Sequence, residues 1–160
     1  MMYKTIVTFF LFTSMLLAQT EREYQKIKGE NGETLSEGWT IDGLKNEYWV
    51  TYFPNQIIAS KGHFKNGLKE KYWYFYQPNN RLEKEGHFIS GLMSDWWVFY
   101  DEKGTVICKV QYEKDKKQGY CIQYKKGEIK KVEKYQANVK TGEWKDLESF
   151  ELENDLKDLL

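Results

Sequence analysis

Few side chains in this sequence have the types and spacing to do chemistry. Its only two histidines, His63 and His87, stand one 24-residue step apart. Two imidazoles can begin a metal site, but a zinc centre wants three or four ligands, and no cysteine or acid stands at the right spacing to complete one. The expectation is no metal and no cofactor, with the histidines as a surface ladder at one repeat position. Cys108 and Cys121 are an even pair, so a disulfide is chemically permitted if the chain is exported. A bridge needs Cα atoms within about 7 Å. With a hairpin centred near Lys116 and Lys117, Cys121 faces Tyr112 rather than Cys108, and two separate buried thiols are the other reading. Acids are abundant, but they fall mostly in turns, where charge serves solvation, and a flat array implies no cleft for a carboxylate pair. No catalytic residue is expected.

What remains is aromatic. The chain carries 6 Trp, 12 Tyr and 9 Phe, most of them between Trp39 and Tyr124. Trp49, Trp73 and Trp97 recur at a constant step, with Phe75 and Phe99 two residues beyond the last two. Rings in such a row, if half-exposed, would stack on sugars or grip a partner's apolar surface. These five residues are the expected binding set, against the alternative that they line the second side of a packed array.

The elements that must position them follow from the period, which is 24 residues and decides the architecture before any local reading. Glu37-Gly38-Trp39, Lys61-Gly62-His63, Glu85-Gly86-His87 and Lys109-Val110-Gln111 are equivalent. A turn follows each at Gly43, Gly67, Gly91 and Asp115. Next come the aromatic segments Tyr48–Tyr52, Tyr72–Tyr76, Trp96–Tyr100 and Tyr120–Tyr124, strands by their β-branched and aromatic content. A second turn closes each copy at Pro54-Asn55-Gln56, Pro78-Asn79-Asn80, Lys103-Gly104 and Lys126-Gly127. A shorter fifth copy is marked by Tyr135, Thr141-Gly142 and Trp144. The reading is all-β: an elongated antiparallel array of about five β-hairpin repeats, an open sheet or solenoid, over residues 31–146. Gly38, Gly62 and Gly86, inside strands, are expected to make room for a neighbouring ring.

Strand side chains alternate between faces. Tyr48, Val50 and Tyr52 and their equivalents are large and apolar in every copy, so that face is expected to be the packed one. Trp49, Trp73 and Trp97 then lie on the other, more open face. Residues 19–30 read as a leader strand or a flexible start. Residues 147–160 read as one short amphipathic helix capping the last repeat or a frayed tail.

The segment Lys61-Gly62-His63-Phe64-Lys65-Asn66-Gly67-Leu68-Lys69-Glu70-Lys71-Tyr72-Trp73-Tyr74-Phe75-Tyr76 resembles the MORN-repeat variant family, and the likeness extends over about 120 residues. Where that family commonly has Gly before the strand tryptophan, Glu47, Lys71 and Asp95 stand here, and Gly returns only as Gly119 and Gly142. The resemblance implies an elongated hairpin array used for protein or membrane contact, some bacterial relatives being labelled antitoxin. It carries no catalytic motif.

Residues 1–18 have the layout of a secretory signal peptide: Lys4, an apolar run from Ile6 to Ala18, then polar Gln19. The run is too short for a bilayer-spanning helix of about 20 residues, so export to the periplasm, cell surface or medium is expected, without further membrane association. The chain has 24 basic and 24 acidic side chains, a balance that gives no basic face for nucleic acid. The function expected is a non-enzymatic binding or scaffold module for a protein partner, with carbohydrate or cell-wall binding as the alternative.

Overall fold

The computed structural model describes residues 20–159; the expected signal peptide lies outside them. The strands are β1 (Arg22–Lys28), β2 (Thr34–Ile41), β3 (Leu44–Tyr52), β4 (Ile58–Lys65), β5 (Leu68–Tyr76), β6 (Leu82–Ile89), β7 (Leu92–Tyr100), β8 (Val106–Glu113), β9 (Lys116–Lys125), β10 (Glu128–Gln136) and β11 (Val139–Trp144). All 11 belong to one open antiparallel sheet whose order is the order of the chain. At 4.7–4.9 Å per strand, the sheet extends roughly 50 Å along its stacking direction. The expected hairpin array is the fold.

The turns explain the order. Asp42-Gly43, Asn66-Gly67, Ser90-Gly91, Lys114-Asp115 and Ala137-Asn138 each hold two consecutive residues at positive φ, between 48° and 84°. That is the two-residue hairpin turn whose twist matches the strands. Each turn is tied to the copy before it: Gly67 N–H donates to Lys45 O and Gly91 N–H to Lys69 O, both at 2.8 Å. Equivalent turns therefore sit above one another along one edge of the sheet.

One boundary moves. The residues before position 31 are not a separate leader, because β1 pairs with β2 along its whole length, with Tyr24 opposite Trp39. Tyr24 stands one period before Tyr48, so the array begins at the first described strand. At the other end α1 (Leu147–Glu151) forms, its N-terminus capped reciprocally by Asp146 and Ser149, and a 3₁₀ turn follows at Leu156–Leu159. Phe150 of α1 is fully buried against Tyr120, Ile122 and Val132, so this end is a cap.

Candidate functional site

The two faces of the sheet differ in the opposite sense to the alternation argument. Trp49, Trp73 and Trp97 are 1%, 1% and 0% exposed, so the expected open tryptophan ladder is instead the core. The reason lies in the opposing glycines. A Cβ on Gly38, Gly62 or Gly86 would fall 2.3 to 2.4 Å from the ring of Trp49, Trp73 or Trp97 respectively. Each indole lies flat on a glycine of the preceding strand, as the in-strand glycines led one to expect.

Backbone irregularity completes the seat. The ladder between β2 and β3 skips from Gly38↔Trp49 to Trp39↔Asn46, which leaves carbonyls free to converge on the indole. Trp49 N–H donates to Trp39 O at 2.7 Å and to Asn46 O at 3.1 Å. Trp73 does the same with His63 O and Glu70 O at 3.0 and 3.2 Å. The bulge requires positive φ at Glu47 (59°), Lys71 (62°) and Asp95 (62°). These three positions thus hold a conformation usual for glycine without being glycine.

Between the tryptophans sit rings from the even strands, giving an edge-to-face chain: Trp49 to Phe64 at 6.2 Å, then 5.0 to Trp73, 6.0 to Phe88, 5.0 to Trp97 and 6.5 to Tyr112. Such geometry suits the ring quadrupoles. Phe75, half-buried, bridges Trp73 and Trp97 at 5.9 and 6.0 Å; Phe99 packs against the same cluster. The stem of Lys69 closes the top, its ammonium 4.8 Å from the Trp73 ring. Burial pushes that lysine below its ordinary pKa, and the neighbouring Lys84 and Lys45 add to the shift.

The tyrosine face, expected to be packed, is the open one. Tyr24 and Tyr48 are 45% and 42% exposed, and Tyr52, Tyr72, Tyr74, Tyr76, Trp96 and Tyr100 are half-buried. Side chains of the even strands fill the gaps between these rows. His63 meets Tyr48, and His87 meets Tyr72, edge to face at 5.2 and 4.8 Å. The two histidines are on β4 and β6, so β5 separates them and they share no ligand position. Down the middle runs an alternating line, Glu37, Lys61, Glu85 and Lys109, paired across strands with Val50, Tyr74, Val98 and Ile122.

These charges hold the tyrosines. Tyr52 donates its hydroxyl to Glu37 at 2.7 Å, and that bond, helped by burial, raises the phenol to about 12. Burial and then the Glu85 charge raise Tyr72 to about 12 as well. Glu37 itself lies below the ordinary carboxyl range because Tyr52 and then Lys26 donate to it. In the last copy the central position becomes Val132, opposite Ile122. There the face turns dry, and the chain's own Phe150 covers it.

The fourth copy departs on the other face. Val110 replaces the glycine and Cys121 the tryptophan, and they are partners across β8 and β9. Cys121 therefore faces Val110, not Tyr112, because the turn centres on Lys114-Asp115 and a bulge follows. Both cysteines are free thiols. Burial pushes Cys108 up, and burial followed by the charge of Cys108 pushes Cys121 to about 11, so both are protonated at neutral pH. They line an open groove of about 840 Å³ with Phe99, Tyr112, Lys117 and Glu133.

No family model matches this chain, and no curated protein matches it. Among the described residues, no helix is long and apolar enough to cross a membrane, and no group of three or more His, Cys, Asp or Glu side chains is placed to hold a metal ion.

Proposed function

We propose that this chain is an exported, non-catalytic recognition module of the MORN-repeat variant type, which grips a protein partner with its tyrosine face. One observation carries the reading: Tyr24 and Tyr48 stand open and the tyrosine row of β5 is only half-buried, whereas the equivalent surface on β9 and β10 is covered by Phe150, with Trp96 packed at the edge of that cluster. Tyrosine and tryptophan are the residues that interfaces favour, since a rigid ring supplies contact area at little entropic cost and the hydroxyl supplies a hydrogen bond. The Glu-Lys alternation adds a pattern of charge that selects partners rather than attracting any polyanion. Pre-organisation by Glu37 and Glu85 fixes the phenols before a partner arrives, which reduces the ordering cost of binding.

The test places a photoreactive benzoylphenylalanine at Tyr48, Tyr74 or, as a control on a sheet-edge turn, Glu102. A discrete adduct from envelope extract at the two tyrosine positions but not at Glu102 supports the reading. Equal labelling at all three, or at none, removes it. Carbohydrate binding is the second reading, favoured by the regular spacing of exposed rings: equivalent tyrosines are two strands, roughly 9.6 Å, apart, a repeat suited to stacking on an extended polysaccharide. Co-sedimentation with peptidoglycan or polysaccharide that is lost in Tyr48→Ala/Tyr72→Ala would favour it over a protein partner.

A further inference from the structure

The groove of the fourth copy is not used by the tyrosine face, which lies on the other side of the sheet, and it holds the chain's only two thiols. In β8 and β9, Cys108 is opposite Gln123 and Val110 is opposite Cys121. Residues directly opposite share a face, as do residues two apart on one strand. Cys108 and Cys121 are therefore diagonal neighbours on the same face, and both line the same groove. They are close enough for the charge of one to act on the other.

Diagonal geometry disfavours a disulfide and suits a bridging ion. Diagonal Cα atoms lie roughly 7–8 Å apart, beyond the usual range of about 4.4–6.8 Å for a bridged pair. A metal held linearly between two thiolates, at about 2.3 Å per bond, separates the sulfurs by about 4.6 Å, more than twice an S–S bond. Ligand number and softness then choose the ion. Zinc wants four ligands, and among the described residues no third donor of the metal-binding types is grouped with the pair. Glu133, the nearest carboxylate, is occupied by Lys131 at 2.8 Å and by Gln123 and Tyr135 at 3.2 Å each. Two soft sulfurs without a hard ligand match Cu(I).

We propose that Cys108 and Cys121 form a two-thiolate site for Cu(I), entered from the groove between Phe99, Tyr112 and Tyr135. Binding replaces two S–H bonds by two S–Cu bonds and releases two protons. The bound unit carries one negative charge, and the Lys117 ammonium, which lines the same groove, faces it. The room for the ion is the open groove beside the valine-cysteine pair that stands where the earlier copies have glycine and tryptophan.

The reduced full chain is titrated anaerobically with Cu(I) against bicinchoninate, beside Cys108→Ser and Cys121→Ser. One equivalent held by the native chain, lost in both variants and accompanied by a thiolate-to-copper absorption band, is the expected result. Because Cys121 is buried and serine there sets a hydroxyl inside the sheet, half-exposed Cys108 supplies the deciding comparison, with circular dichroism showing that its variant keeps the sheet. Retention of the equivalent in Cys108→Ser, or no retention by the native chain, overturns the proposal. So does isolation of the unreduced protein two mass units light and without reactive thiols, since that would mean the pair bridges itself.

Discussion

Gly62→Ala should act almost wholly through Trp73. The new methyl would lie 2.3 Å from Cδ2 and 2.5 Å from Cε2 and Cγ of the indole, distances that packed atoms do not tolerate, and the contact is with a rigid ring buried beneath Lys69 rather than with a flexible end. The ring must leave its seat. Losing a buried tryptophan costs about 3–5 kcal/mol, and its indole bonds to His63 O and Glu70 O go with it, at about 1 kcal/mol net each. Partial repacking recovers some of this, so about 3 kcal/mol is expected, or on the order of 10 °C in Tm for a domain of this size. In a Trp73→Ala background the same methyl meets no ring, and replacing a strand glycine by alanine should gain about 0.5 kcal/mol. The double-mutant cycle, measured by urea unfolding with circular dichroism, should therefore give a coupling of about 3.5 kcal/mol. The chain already contains the corresponding double exchange at Val110 and Cys121. Equal costs of Gly62→Ala in the two backgrounds would show that the glycine is not a seat for the ring.

Other expectations follow from the same geometry. Lys71→Gly should stabilise by about 1 kcal/mol, since Lys71 holds a φ of 62°, whereas Gly119→Ala should destabilise, its Cβ meeting Gln111 at a φ of 91°; thermal melts of the pair check both signs. Phe150→Ala should cost about 3–5 kcal/mol and increase hydrogen exchange first in β10 and β11, because the cap packs there. For Glu133, burial acts to raise the carboxyl, but the Lys131 hydrogen bond and charge outweigh it and the net shift is downward. Glu37 is lowered too, by Tyr52 and then Lys26. The unfolded chain therefore takes up protons first as pH falls, so stability from these groups is full above the ordinary carboxyl value of 4.5 and drains away as pH drops through the lowered folded values. Denaturation midpoints between pH 6 and 3, on the order of those limits, should fall less steeply in Glu37→Gln.

The period made the strands, both sets of turns and the ring-seating role of Gly38, Gly62 and Gly86 readable in the sequence. The choice of face was not, because Tyr48-Trp49-Val50 and its equivalents are aromatic on both sides and alternation alone cannot rank them. The deciding clue was present: an in-strand glycine can only matter to the ring lying on it, and its cross-strand partner is the tryptophan. Tyr24, one period before Tyr48, likewise marked β1 as part of the array. The cysteine geometry was hidden by the bulge between Val110 and Tyr112, which shifts every later pairing and is set by the backbone at Gly119 rather than by any side-chain pattern. Tyr48, Tyr72 and Tyr74 lie on the more open face because the glycine seats are on the other one, a difference that bulk and apolarity do not reveal.

Strand order that never departs from chain order has a genetic consequence. Duplicating or deleting one of the first three units adds or removes two neighbouring strands without rerouting any connection, and the junction it creates repeats the register already shared by β3–β4, β5–β6 and β7–β8. Length is thus the easiest property of this protein to change by recombination, and the reach of its tyrosine surface would grow or shrink in steps of one hairpin while each end kept its own terminus.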